Sequence, residues 1–471
     1  MQTVDRPLAL VETLRSRRQR LAQLFPQPAV LWSGGSSGRN FPANTYPFRA
    51  SSHFLYFAGL PLEDAAIRLE AGKLQLFMDE ATPASALWHG ETPSRSEIAA
   101  AIGADDAYPL SELKNWAEGT ATIAVQDAQT RLRQSHLLNR MLMPANAPQD
   151  LDAELANAIV ALRSIHDELA LAEIRRAISV SVAAHKAGMA ATRTAKTEAH
   201  IRAAIEAVMI AHEMPPAYTS IVTIRGEVLH NAHSPHSLHS GDLLLADAGA
   251  ETPTGWAADL TRTYPVSGRF LASQRAIYDV VLAAHDACIA AIQPEVEYRE
   301  IHLIAARTIA AGLVDLGILR GNPTDLVEQD AHALFFPHGV GHLLGLDVHD
   351  MEDLGDRAGY AEGRGRSDRF GLCYLRLDRP LKAGMVVTIE PGFYQVPAIL
   401  QDPQRRDRYR DMVNWERLAE FSDVRGIRIE DDVLVTDTGC EVLSADLPTH
   451  ADEIEQLTQM QVRRTSRDTS D

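Results

Sequence analysis

Three histidines lie close together in the sequence His-Gly-Val-Gly-His-Leu-Leu-Gly-Leu-Asp-Val-His-Asp, which spans residues 338–350. His338, His342 and His349 are surrounded by small and aliphatic residues, where a segment that served only as core would have no need of imidazoles. The spacing of the first two resembles the zinc-binding His-Glu-x-x-His helix, but glycine occupies the glutamate position and recurs two residues later, which disfavours a helix. The pattern predicts a glycine-containing loop that leads into an apolar strand. The alternative is that the histidines are buried and satisfied by backbone groups.

Four carboxylates occur in or beside apolar segments that predict strands. Asp247 closes a run of leucine and alanine, and Asp259 lies in the next such segment. The sequence Ala-Gly-Ala-Glu-Thr-Pro-Thr-Gly between them predicts a hairpin connection, so the two acids can face each other across adjacent strands. Glu390 ends the run Met-Val-Val-Thr-Ile. Glu430 shares a strand face with Arg428 because side chains alternate with a period of two.

These acids need a compensating charge, because an unpaired ionised carboxylate in apolar surroundings is strongly unfavourable. Arg428 offsets only one of the four, whereas two divalent cations would offset all of them. With the imidazole of His342, the donor set is hard and rich in oxygen, which favours Mn²⁺, then Co²⁺ or Zn²⁺. Bridging carboxylates hold such ions about 3.5–4 Å apart in hydrolytic two-metal sites. Each acid alone could equally form a structural salt bridge, but the joint pattern predicts a dinuclear metal site.

The composition is that of a globular protein of 471 residues, long enough for two domains. Its 63 acidic and 45 basic residues give a net charge of −18, so nucleic acid and anionic membranes are not expected partners. Three widely separated cysteines without Cys-x-x-Cys spacing indicate neither a disulfide framework nor a sulfur-ligated zinc site. No signal peptide is recognisable, and no apolar run approaches about 18 residues. We therefore expect a cytoplasmic protein.

The first 150 residues alternate between predicted helices and strands, which indicates an α/β domain that shapes or covers a site located elsewhere. A proline-containing break at 143–148 marks the boundary region, and we expect domains at 1–160 and 161–447 with a polar tail at 448–471. His185 is predicted to lie on a helix face and not to bind metal. The predicted helices are 8–24, 96–102, 110–117, 197–212, 273–292 and 297–316. The predicted strands are 29–32, 53–58, 66–70, 74–78, 121–125, 243–248 and 256–264, with a further strand that ends at 228–231.

Five motifs together resemble the pita-bread metallopeptidases of the aminopeptidase P and prolidase family. They are Asp-Ala-Gly from Asp247, Asp-Leu-Thr-Arg-Thr from Asp259, the histidine-containing segment 338–350, Thr-Ile-Glu-Pro-Gly around Glu390 and Arg-Ile-Glu-Asp-Asp around Glu430. The segment 49–60 is similar to the N-terminal domain of the same family, so the resemblance covers nearly the whole chain. It implies an α/β (α+β) fold with an N-terminal creatinase-like domain and a C-terminal pita-bread catalytic domain.

The resemblance also implies a role for each metal-binding residue. Asp247 would be a bidentate ligand of one ion, and His342 would complete the coordination of the other. Asp259 and Glu430 would bridge the two ions, and Glu390 would be the second-metal carboxylate or the base.

The remaining histidines are then available for catalysis. Two Lewis-acidic ions would lower the pKa of a shared water and polarise the scissile carbonyl, with Glu390 as the candidate proton relay. His338, His349 and His230 would bind the tetrahedral oxyanion or bring a proton to the leaving nitrogen.

The implied substrate is a small peptide with proline at the second position, whose Xaa-Pro amide has no N–H for backbone recognition. Arg376 and the insertion at 395–424 resemble prolidases, in which an arginine at this place receives the free carboxylate of a dipeptide. We therefore expect an Xaa-Pro dipeptidase, with Arg376 and Arg428 as substrate-binding residues. The alternatives are an Xaa-Pro aminopeptidase acting on longer peptides, and a creatinase-like amidinohydrolase or non-peptidase binding protein of the same fold. The resemblance further suggests a homodimer.

Overall fold

The computed structural model describes residues 8–231 and 233–459, which form two compact units. The first unit contains the chain up to Ala172 together with the segments Pro253–Trp256 and Gly345–Ala358. The second unit contains Glu173–Thr252, Ala257–Leu344 and the chain from Gly359. Among these residues no helix combines the length and apolar character needed to cross a bilayer.

Helices account for much of both units. The α-helices are α1 Leu8–Leu24, α2 Ser52–Ala58, α3 Pro83–His89, α4 Arg95–Ile102, α5 Ala128–Leu137, α6 Asp150–Arg163, α7 Glu168–Ala191, α8 Glu198–Ala211, α9 Ala272–Ala291, α10 Tyr298–Asp315, α11 Pro323–Glu328, α12 Asp356–Gly359, α13 Pro397–Leu400, α14 Pro403–Arg408, α15 Trp415–Ala419 and α16 Ala451–Gln459. Single 3-10 turns occur at Leu110–Asn115, Ala331–Leu334 and Glu352–Leu354.

The strands are short. They are β1 Ala29–Trp32, β2 Gly38–Phe41, β3 Asn44–Thr45, β4 Ala66–Glu70, β5 Lys73–Phe77, β6 Asp106–Tyr108, β7 Ile221–Thr223, β8 Leu243–Asp247, β9 Thr261–Pro265, β10 Val386–Ile389, β11 Gly392–Tyr394, β12 Gly426–Arg428, β13 Asp431–Val435 and β14 Cys440–Val442.

The first unit is built on a four-stranded sheet with the order β1-β4-β5-β6. Three of its strands pair antiparallel, and β6 joins β5 in parallel. The predicted strand at 53–58 is wrong, because this segment forms α2. All seven residues of α2 are buried, and an apolar run that is buried on every side shows no period that separates helix from strand. The predicted strand at 121–125 is reduced to a single bridge between Ala121 and Ala29.

A buried ion network lies inside the first unit. The guanidinium of Arg163, which is 1% exposed, contacts Asp350 at 2.5 Å and Asp347 at 3.2 Å. His53 lies 3.0 Å from Arg163 through Nδ1 and 3.0 Å from Asp353 through Nε2. Burial raises the pKa of Asp350 to about 6, and the nearby charge of Arg163 opposes that shift. The network therefore ties the segment Gly345–Ala358, which carries His349, to α2 and to the end of α6.

Replacement of Arg163 by leucine should destabilise the protein by about 3–5 kcal/mol, because it leaves the buried carboxylate of Asp350 without its counter-ion. The same change at Arg175 provides a control, since its ion pair with Glu441 is exposed and should contribute less than about 1 kcal/mol. Chemical denaturation of both variants measures the difference. Equal losses in the two variants would contradict the importance of the buried network.

Three small antiparallel sheets form the framework of the second unit, with the orders β7-β8-β9, β10-β13-β14 and β11-β12. The chain passes from β12 to β13 through Ile429 and Glu430, so the single strand expected around Glu430 is split between two sheets. Helices α9 and α10 pack against each other beside these sheets.

The segment 338–350 differs in part from the expected loop and strand. Backbone hydrogen bonds run from Glu390 and Thr388 of the β10 region to the carbonyls of Val340 and His342, at 2.8 and 3.0 Å. Only Leu343 is paired as a bridge, however, and the rest of the segment is irregular. A Cβ at position 341 would overlap the Thr388 carbonyl oxygen, so glycine permits this close approach. The strand structure predicted from 220 is present as β7, but the predicted end at 228–231 is wrong, because the chain turns there, with Val228 N–H donating to the Arg225 carbonyl.

Candidate metal centre

The second unit brings the five predicted metal-binding residues together in two overlapping groups. The first group contains Asp247, Asp259 and Glu430, and the second contains His342, Glu390 and Glu430. Within each group the donor atoms lie within 4.8 Å of one another. Glu430 belongs to both groups, so it would be shared if each group held an ion.

Strand ends and strand breaks position these side chains. Asp247 is the last residue of β8, opposite Thr261 of β9. Asp259 does not lie in a strand facing Asp247, as expected, but in the connection that precedes β9. Glu430 occupies the break between β12 and β13, where its N–H donates to the Thr261 carbonyl at 3.0 Å. Because the chain leaves the regular hydrogen-bond pattern of the sheets at these points, the three carboxylates can converge.

The imidazole of His342 is oriented as a metal ligand requires. Its Nδ1 lies 3.0 Å from the carbonyl oxygen of Leu343, so the Nδ1–H group donates to the backbone. The other nitrogen, Nε2, faces the carboxylates and lies 3.4 Å from Asp259 and 3.6 Å from Glu390. A backbone carbonyl that fixes the tautomer in this way is typical of histidine ligands.

A buried hydrogen-bond chain surrounds the carboxylates. Arg428 pairs through Nη2 with Asp247, and its Nη1 donates to the hydroxyl of Tyr394 at 3.0 Å. The Tyr394 hydroxyl lies 2.9 Å from Nε2 of His338, to which it can donate its own proton. Thr261 receives a hydrogen bond from Nε of Arg428 at 3.1 Å.

Two further hydroxyls act on the carboxylates directly. Thr261 donates to Glu430 at 2.5 Å. The hydroxyl of Tyr218 lies within hydrogen-bond distance of both Asp247 and Asp259, and its single proton can be donated to only one of them at a time.

Burial and mutual repulsion raise the pKa values of Glu390 and Glu430. Burial raises the pKa of Glu390 to about 8; Asp259 and Asp247 also raise it, while Arg428 lowers it. Burial, followed by the charges of Asp259 and Glu390, raises the pKa of Glu430 well above its usual value. Without cations the cluster therefore holds protons at neutral pH. Clustered carboxylates and a histidine whose Nε2 faces them fit two divalent metal ions.

The other predicted site residues are placed differently. His338 lies beside the metal centre, with Nδ1 3.7 Å from Glu390, and burial lowers its pKa to about 3. Arg376 is half-buried and its charge lowers the pKa of both His338 and Glu390, which places it near them. His230 lies on an exposed turn of the second unit. His349 belongs to the first unit, where its Nδ1 lies 2.6 Å from Glu352.

Three contributors were not predicted from the sequence. Thr261 lies two residues after Asp259, and Tyr394 lies four residues after Glu390. Closeness in sequence to these acids was the only indication that either residue contributes to the site. Tyr218 follows a pair of prolines in a segment without regular structure, and nothing in the local sequence indicates its contact with the two aspartates.

Small antiparallel sheets that bring together four carboxylates and one oriented histidine are the arrangement of the pita-bread class of metallopeptidases. Two family models match the chain: metallopeptidase family M24 over residues 172–437, and the aminopeptidase P N-terminal domain over residues 14–124. The chain therefore belongs to metallopeptidase family M24. The predicted family and the predicted fold class, an N-terminal aminopeptidase P-type domain with a C-terminal pita-bread domain, are confirmed.

Related proteins support the same assignment over nearly the whole length. A probable Xaa-Pro aminopeptidase of Tuber melanosporum is 33% identical over 405 residues, which are 84% of each chain. The structure of aminopeptidase PepP of Pseudomonas aeruginosa has a TM-score of 0.78 at 30% identity and covers 97% of this chain and 98% of that one. Zn-substituted Escherichia coli aminopeptidase P in complex with product has a TM-score of 0.74 at 29% identity, with 95% and 98% covered. The prediction of a metal-dependent Xaa-Pro peptidase is confirmed.

Proposed function

We propose that this protein is an Xaa-Pro aminopeptidase, which removes the first residue from peptides of three or more residues with proline at the second position. The observation that carries the proposal is the pair of overlapping donor groups that share Glu430, because this arrangement suits a hydrolytic two-metal centre. The similar proteins are named as Xaa-Pro aminopeptidases or aminopeptidase P. These names support the first alternative considered from the sequence, the Xaa-Pro aminopeptidase, and do not support the dipeptidase, which was the main expectation.

The residues that would hold the two ions share a place in the second unit and hard donor atoms. They are Asp247, Asp259, His342, Glu390 and Glu430. When bound, the ions supply an activated water near neutral pH and polarise the scissile carbonyl. Mn²⁺ is our first choice for this oxygen-rich set, with Co²⁺ and Zn²⁺ as alternatives.

The side chains of this protein supply the proton transfers. Glu390 is the proposed base, since its carboxylate adjoins both His342 and His338 and it is the least buried member of the ligand set, with 16% of its side chain exposed. His338 is uncharged at neutral pH and is held by Tyr394. Its Nδ1 contacts the Gly339 carbonyl at 2.8 Å, and from this position it would donate to the reacting carbonyl of the substrate. His230 and His349 are proposed to bind the oxyanion or to protonate the leaving nitrogen.

The length of the substrate can be tested with paired peptides. With Mn²⁺ supplied, we expect Xaa-Pro-Yaa tripeptides to be cleaved with a higher kcat/KM than the Xaa-Pro dipeptides of the same first residue. Replacement of Arg376 by methionine should then change kcat/KM by similar factors for the tripeptide and the dipeptide. The same change at Arg379, which is also half-buried in this segment, is the matched control.

A dipeptidase would give the opposite pattern. Loss of a charge-assisted bond to a free carboxylate is worth roughly 1.5–3 kcal/mol, so Arg376→Met would slow dipeptide cleavage at least about tenfold while sparing tripeptides. That result, together with faster cleavage of dipeptides by the unmodified protein, would contradict the proposed aminopeptidase.

A further inference from the structure

The connection between Asp247 and Asp259 is tightly packed, and it sets the separation of these two carboxylates. Ala248 N–H donates to the Leu260 carbonyl and Ala258 N–H donates to the Ala250 carbonyl, each at 3.0 Å. A Cβ at position 249 would overlap the carbonyl oxygen of Ala258, so only glycine allows the two sides of the connection to come this close. Small movements here would change the positions of both acids.

Helix α7 presents two polar side chains to this connection. Ser181 and His185 are one helical turn apart and both are fully buried. Ser181 accepts a hydrogen bond from the N–H of Ala250 at 2.9 Å and donates to its own helix. His185 lies with Nε2 2.9 Å from the carbonyl oxygen of Ala248, the residue that follows Asp247.

His185 is linked to the opposite side of the connection through Ala248, whose N–H donates to the Leu260 carbonyl at 3.0 Å. Burial lowers the pKa of His185 to about 4, and the hydrogen bond to the Ala248 carbonyl partly opposes that shift. Leu260 directly follows Asp259, just as Ala248 directly follows Asp247. The hydrogen bond from His185 therefore supports the backbone immediately after Asp247 directly and, through Ala248, the backbone immediately after Asp259.

We propose that His185 is a positioning residue for the metal centre, which fixes the backbone beside Asp247 and Asp259 so that their carboxylates converge on the ions. The sequence predicted only that His185 lies on a helix face and does not bind metal. The inference rests on the proposed function, because it takes the two aspartates to be metal ligands. Residues that orient metal ligands from outside the coordination sphere typically change metal affinity about 10–100-fold when they are replaced.

The direct test compares Mn²⁺ binding by metal-free full-length variants, measured by titration calorimetry. His185→Leu should weaken Mn²⁺ binding about 10–100-fold. His185→Gln should recover most of the affinity, because its side-chain amide can donate to the Ala248 carbonyl from a similar distance. His185→Asn, whose shorter side chain falls short of that carbonyl, should remain weak.

A second buried histidine provides a matched control. His302 of α10 is fully buried, lies with Nε2 2.9 Å from the Gly371 carbonyl, and has its pKa lowered by burial to about 4. His302→Leu should therefore reduce stability much as His185→Leu does, without the loss of Mn²⁺ affinity. Thermal unfolding of the metal-free proteins measures the shared effect on stability.

The possible outcomes separate this inference from the proposed function. Wild-type affinity in His185→Leu, or an equal loss of affinity in His302→Leu, would overturn the positioning role while leaving the proposed function in place. Failure of the unmodified protein to bind Mn²⁺ would instead overturn the two-metal function itself. If His185→Leu does not fold, the comparison of His185→Gln with His185→Asn decides, and equal affinities in that pair would overturn the positioning role.

Discussion

Replacement of Glu430 by glutamine should have two effects. The metal-free protein should become more stable, and binding of the two metal ions should be lost. The pKa of Glu430 is raised well above its usual value by burial and by Asp259 and Glu390, so folding of the metal-free chain at neutral pH requires this side chain to take up a proton. Glutamine removes that requirement. It also removes the one carboxylate that both donor groups share.

Catalytic activity should fall as well, because Glu430→Gln disrupts the metal centre. Two-metal stabilisation of the developing charge is worth several kcal/mol, so kcat/KM for Xaa-Pro-Yaa should drop by at least about 10²-fold in Glu430→Gln. Glu441→Gln is the control, since Glu441 is an exposed residue of β14 and should leave both stability and activity nearly unchanged. Calorimetry, thermal unfolding and steady-state kinetics measure the three effects. A variant that binds two ions with wild-type affinity would show that Glu430 does not bridge them.

Metal affinity should fall steeply as the pH is lowered from 8 to 6. Ligands must lose their protons to bind metal, and the pKa of Glu390 is about 8 in the metal-free protein. Each proton that must be released weakens binding about tenfold per pH unit below the pKa. Because the pKa of Glu430 is raised as well, the slope should reach one to two decades per unit. Mn²⁺ titrations at pH 6, 7 and 8, in buffers with different ionisation enthalpies, give both the affinity and the number of protons released.

The stability of the metal-free protein should change with pH in the opposite direction to the metal affinity. The folded-state pKa of Glu390 lies above its unfolded value of 4.5, so the folded state binds more protons between these limits. Stability of the metal-free protein is therefore greatest at the acid end of this window and is lost as the pH rises toward 8. Metal-loaded protein should gain stability over the same window. An Mn²⁺ affinity that does not change with pH would contradict the protonated state assigned to the cluster.

The sequence was sufficient to select the five residues that the structure brings together as a candidate metal centre, because ionised groups in apolar segments are locally recognisable and require compensation. The contributions of Tyr218 and Tyr394 could not be predicted, since a tyrosine gives no local sign of which carboxylate or arginine it will meet in the folded chain. The same holds for His185, whose helix-face position was evident although the backbone it contacts lies more than 60 residues away. Long-range contacts of this kind are set by tertiary packing.

The fold shows a similar division. Amphipathic helices such as α8 and α9 were predicted nearly to their ends, because one buried face gives a clear period. Helix α2 was mistaken for a strand, because complete burial removes that period. The choice between dipeptides and longer peptides was also beyond the sequence, since Arg376 has the same local appearance whether or not it receives a carboxylate.

The path of the chain has a consequence for how such proteins can arise and be divided. The chain passes between the two units at five places, after Ala172, Thr252, Trp256, Leu344 and Ala358. A fragment that ended at Ala172 would retain Arg163 but lack Asp347, Asp350 and Asp353, and so would bury a guanidinium without its carboxylate partners. The N-terminal unit is therefore not an exchangeable module. Gene fusion or duplication that moved only its first 172 residues would transfer an incomplete core.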